Sequence, residues 1–246
     1  MRLSRISFPN TITPEYFNEP TALFLRPSRV RGAVPCRNHR MGHRALVAYE
    51  RPDELHNLHY SHWGGLNLQL KYDINDQTPF GGDVAHAEWA TEIFEQSGEQ
   101  EVLNGLLQRE TRPRTTVDPD PEATGLTNEE IITHHLDFEY HEAFYVVTPE
   151  FDITAYRTLW FGLQHVCERI SDGPKFGNGA LQTVRWYDGE PVGDGPLCGR
   201  FEALKDIVGD LIDDDVLTRE EAIEYMIEKL TAWCGKDQEL IVRTPS

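Results

Sequence analysis

FEYHEAFYVVTPEFDITAYRTLWFGL, residues 138–163, is the most apolar stretch of the chain, and the fold is read from it. Two β-rich runs, 138–147 and 153–163, flank a turn that contains Pro149, the pattern of an antiparallel hairpin. Alternation places Phe138, Tyr140, Glu142 and Phe144 on one face, with Tyr156 and Trp160 across the hairpin. Glu142 is the odd member of that face. A buried carboxylate without a partner is costly, so it must find a donor or line a cavity.

Toward the C-terminus, 180–187 (ALQTVRWY) reads as a further strand fenced by glycines. Phe201, Leu204, Ile207, Val208, Leu211 and Ile212 then fall on one helical stripe. Thr218 and Glu221 form a capping box, and Ala222, Ile223, Met226, Ile227, Leu230 and Trp233 continue the helical period. Joined across Asp213–Asp215, the two segments read as a C-terminal helical hairpin, and 239–243 as a last edge strand.

Toward the N-terminus, Thr127 and Glu130 make another capping box, preceded by the proline-bearing run 109–125, an exposed connection. Residues 83–108 read as a helix interrupted near Gly98. Leu66, Leu68, Leu70, Tyr72 and Ile74 alternate with polar residues, as in a strand. Residues 43–50 (HRALVAYE) and 57–63 (NLHYSHW) read as a first hairpin. Pairing Tyr49 with Leu58 puts Val47, Tyr49, Tyr60 and His62 on one face, and Arg44 opposite Trp63 as a cation–π pair. The fold class is therefore α+β: an antiparallel sheet of hairpins with helices packed on one face. It forms a single domain over 41–246.

Residues 1–40 differ. They carry seven Arg against two acids, a net +5 that leaves −23 on the rest of a chain whose total is −18. Five of the fifteen prolines lie there too. This composition reads as a disordered extension, or as sequence upstream of a true start at Met41. From Met41 on, the chain has only five Lys and many acids. Self-repulsion on that scale is screened at molar salt, where the Debye length is about 3 Å, so the composition reads as the cytoplasm of a salt-accumulating halophile. An acidic chain is no generic nucleic-acid binder and does not dock on an anionic membrane; no apolar run is long enough to span one. Cys36, Cys167, Cys198 and Cys234 lack C-x-x-C spacing and read as reduced thiols.

No P-loop, G-x-S-x-G elbow or H-E-x-x-H helix is present, and no cofactor is expected. Asp118, Asp120, Glu122 and Glu129 fall at EF-hand positions, but Ala123 replaces the turn glycine. His56, His59 and His62 cannot share one ion on a strand, where His56 and His62 lie about 20 Å apart. The two ionisable residues on apolar faces are His62 and Glu142, and they are expected to face one cavity as an acid–base or metal-ligand pair.

Four segments carry a family resemblance: MGHRALVAYE (41–50), YSHWGG (60–65), HEAFYVV (141–147) and AYRTLWFGL (155–163). Through them the chain resembles an uncharacterised family of small acidic haloarchaeal proteins. That resemblance implies a start at Met41 and a halophile cytosol, and it brings no catalytic residue with it. Two functions fit the sequence. One is a non-enzymatic accessory or regulatory module that binds a protein partner through its helices or sheet face. The other is a small hydrolase built on His62 and Glu142, with Tyr60 or Arg157 assisting.

Overall fold

The computed structural model describes residues 42–82 and 116–245. The helix read over 83–108, the first part of the 109–125 connection and the whole of residues 1–40 lie outside them.

Two hairpins set the frame. Strands β1 (Ala45–Glu50) and β2 (His56–Ser61) pair antiparallel, as do β4 (Ala143–Val147) and β5 (Ile153–Trp160). The first strands of both hairpins then lie side by side, β1 parallel to β4 with Ala45 opposite Ala143. A wholly antiparallel sheet is thus corrected to a mixed one, made possible by the long crossover between the hairpins. β3 (Ala123–Leu126) extends one edge, and β6 (Gly179–Thr183) with β9 (Leu240–Arg243) the other, in the order β3-β2-β1-β4-β5-β6-β9. A separate ribbon pairs β7 (Arg185–Tyr187) with β8 (Glu190–Val192).

Two local readings are also corrected. The run 66–74 is not a strand: a 3-10 turn (Leu66–Leu68) leads into a short helix, α1 (Leu70–Asp73), with Asn67 and Leu68 at left-handed φ of 51° and 52°. Alternation over so few residues also satisfies i, i+4 spacing, and Leu70 and Ile74 use that spacing to reach the core. The first hairpin is shifted by one residue, pairing Tyr49 with Asn57 and Ala48 with Leu58. A one-residue slip exchanges the faces. Asn57, His59 and Ser61 therefore turn inward beside Val47 and Tyr49, and carbonyls of the 116–118 segment meet two of them. The His59 Nδ1 lies 2.9 Å from the Asp118 carbonyl oxygen, and the Ser61 hydroxyl donates to that of Thr116 at 2.7 Å.

Both faces of the sheet are covered. On one, Leu46, Ala48, Phe144, Tyr156 and Leu181 pack under the segment Ile131–Phe138. That segment is preceded by α2 (Asn128–Glu130), started by the complete Thr127–Glu130 capping box. On the other face two apolar clusters form. Val47, Tyr49, Tyr145 and Ala155 pack with Leu68, Leu70, Ile74 and Phe80. Leu159, Phe161 and Ala180 pack with Phe201, Leu204, Val208, Met226 and Leu230. The last five come from α3 (Asp194–Asp213) and α4 (Arg219–Trp233), the latter started by the complete Thr218–Glu221 box. No described helix is long and apolar enough to cross a membrane.

Candidate functional site

Parallel pairing of β1 with β4, and antiparallel pairing of β1 with β2, brings three chain segments to one end of the sheet. Residues just before β1 (His43, Arg44), just after β2 (His62, Trp63) and just before β4 (His141, Glu142) meet there. The Glu142 N–H donates to the Arg44 carbonyl at 2.8 Å, and the Gly65 N–H to that of His43 at 2.6 Å. Gly65 is required by space: a Cβ there would lie 2.9 Å from the Glu142 Cβ and 3.0 Å from the His43 oxygen. Gly42, at φ 120°, lets the chain pass within contact of the His62 ring.

Within this rim, His43 Nδ1 and Glu142 Oε2 are 2.9 Å apart, both side chains partly exposed. A carboxylate partner favours the imidazole tautomer with its proton on Nδ1. His62 Nδ1 lies 3.1 Å from the Tyr60 hydroxyl. The Trp63 indole neighbours both imidazoles, its ring centroid 5.0 Å from that of His62 and 6.0 Å from that of His43, and is 52% exposed. No hydrogen bond or ion pair joins His62 to Glu142; Glu142 bonds His43 and His62 bonds Tyr60, at the same end of the sheet. His43 is the residue the sequence reading missed. Its signal was a histidine at the start of a strand, visible only once that strand is set parallel to the one preceded by Glu142.

The floor of the rim is fixed. The Arg44 guanidinium lies 4.2 Å over the Tyr140 ring, where the sequence reading had paired it with Trp63. That departure follows from the one-residue shift. Burial and the neighbouring Tyr140 push the Tyr60 hydroxyl above its usual range, with Arg44 opposing. His141 is buried, its Nδ1 accepts from the Asp137 N–H at 3.2 Å, and burial lowers its pKa to about 4. It stays neutral and structural. Beneath, Arg157 donates to the Gly65 and Glu142 carbonyls at 3.0 and 3.2 Å and forms a bidentate pair with Asp194, at 2.7 and 2.5 Å. Burial alone would lower its pKa; Asp194 raises it instead, so the buried guanidinium stays charged.

His56, His59 and His62 bind three different partners, the Leu126 carbonyl, the Asp118 carbonyl and the Tyr60 hydroxyl. Among the described residues no group of three or more His, Cys, Asp or Glu side chains could hold a metal ion.

Fold and rim together define an α+β protein with a mixed seven-stranded sheet that carries a histidine–carboxylate pair beside an exposed tryptophan at one end. The chain belongs to a family of unknown function, DUF6735, whose model matches residues 41–242. No curated protein and no solved structure matches it.

Proposed function

We propose that the rim is the acid–base centre of a small hydrolase. His43 takes a proton from the attacking water, Glu142 fixes its tautomer, and His62, held by Tyr60, gives its own proton to the leaving group; after release His43 loses its proton to solvent and His62 regains one from it. The 2.9 Å contact of His43 Nδ1 with Glu142 carries this reading, because it leaves Nε2 as the acceptor for a proton from water. Trp63 offers a flat apolar surface for the substrate. The test is turnover of chromogenic esters, amides and phosphoesters by the full chain in molar KCl. His43→Ala is expected to lower the rate at least about 100-fold, and Glu142→Gln about 10- to 100-fold. No turnover, or full turnover without His43, overturns the reading.

A second reading, an accessory or regulatory protein-binding module, is favoured by the exposure of Trp63 and Leu66 in a single turn, where the Leu66 N–H bonds the Trp63 carbonyl. It predicts loss of a partner with Trp63→Ala and no loss with His43→Ala. The charge of −18 and the scarcity of Lys support a halophile cytosol as the setting. Composition, and a family match that begins at residue 41, support residues 1–40 as an extension outside the folded unit.

A further inference from the structure

We propose that a second site, lined by none of the rim residues, binds a small phosphomonoester at the start of α3. A cavity of about 250 Å³ opens there between β6, the β7–β8 ribbon, the first turns of α3 and the end of α4. That volume lies just under the range of drug-sized pockets and suits a compact metabolite.

Three independent features mark the cavity as built for an anion. Arg185 and Arg200 both line it, and neither has a hydrogen bond or an acidic partner among the described residues. In so acidic a chain, two guanidiniums on one cavity that are unpaired among the described residues point to an anionic ligand. The 20-residue helix α3 starts at its wall, and a helix start carries partial positive charge and unbonded N–H groups. Gly193, at φ 84°, lines the cavity just before the helix starts. The one carboxylate at the helix start, Asp194, is already engaged by Arg157. Finally, Gln182 lines the cavity and is 2% exposed, and its Oε1 is buried without any hydrogen-bond partner. A buried acceptor left open is costly, and a turn of the Gln182 amide toward the cavity would let a donor on the ligand satisfy it.

These features choose the ligand class. Two guanidiniums and a helix start exceed what one carboxylate neutralises and match a dianionic phosphate. The Gln182 oxygen asks for a hydroxyl or amine on the organic part. Val184, Leu197 and Trp233 supply the apolar wall against which that part rests.

The test is calorimetric titration of the full chain at one fixed salt concentration with inorganic phosphate, glycerol 3-phosphate, ribose 5-phosphate and acetate. Saturable binding of the phosphomonoesters is expected, tighter than that of acetate. Arg185→Gln and Arg200→Gln should each weaken it at least tenfold; both residues are exposed, so the variants keep the parent's melting curve. Gln182→Leu should weaken ribose 5-phosphate and leave inorganic phosphate unchanged. Absence of saturable phosphate binding, indifference to both arginine substitutions, or preference for acetate overturns the proposal. The readout is binding, so it stands or falls separately from turnover at the rim.

Discussion

His59 and His141 are both kept uncharged, each near a pKa of about 4, chiefly by burial. For His59 the geometry adds a reason: Nδ1 is occupied by the Asp118 carbonyl, and Nε2 is buried with no acceptor for a second proton. Between pH 6.5 and 4 the unfolded chain binds protons that these folded imidazoles refuse, so acidification favours unfolding. His59 alone is expected to remove about 3 kcal/mol of stability across that window, the loss levelling off below pH 4. Denaturant melts at pH 7 and pH 5 in one salt should show it, and His59→Gln should flatten the slope. At Arg157 the sign of the effect depends on what is left behind. Asp194→Ala strands a buried guanidinium and should cost about 3–5 kcal/mol, whereas Arg157→Met combined with Asp194→Ala should cost less, because no uncompensated charge remains. Equilibrium unfolding of the single and double variants separates the two outcomes.

The turn after β2 is the element on which the rim depends. Gly65→Ala would drive a Cβ against Glu142 and the His43 carbonyl, and is expected to cost about 1–3 kcal/mol and to part the His43–Glu142 contact. Chemical denaturation reads the first effect, and the His43 Cε1–H chemical shift reads the second. Much at this scale was legible in the sequence. The β4–β5 hairpin, both Thr–Glu capping boxes, and the apolar stripes of α3 and α4 rest on neighbours within a turn or a hairpin, and such signals are local. The parallel contact of β1 with β4 joins segments far apart in the chain and leaves no periodic trace. The hairpin register was missed because Asn57, His59 and Ser61 look like surface residues. Only the carbonyls of the 116–118 segment make them tolerable inside. Glu142 and His62 could be singled out as ionisable groups among aromatics. That His43 is Glu142's partner, and Trp63 the neighbour of both histidines, follows from the long-range pairing alone.

Across the whole molecule the dominant quantity is charge. With −18 in total, and −23 from Met41 onward, the folded state repels itself, and salt relieves that repulsion over a Debye length that shrinks from about 10 Å at 0.1 M to about 3 Å at 1 M. The melting temperature is expected to climb steeply between 0.1 and 2 M KCl. A chain beginning at Met41 should follow the same curve as the full sequence; a markedly lower curve would mean that residues 1–40 contribute to the folded unit.

Arg157 and Gln182 face each other across β5 and β6, both buried, and they fall between the two apolar clusters on that side of the sheet. Oil does not run unbroken from one end of this face to the other. A line of polar groups crosses it, and Arg157 spans that line, gripping Asp194 at the start of α3 with one edge of its guanidinium and the Gly65 and Glu142 carbonyls with the rest, so the two oily halves are riveted to each other by charge rather than by grease.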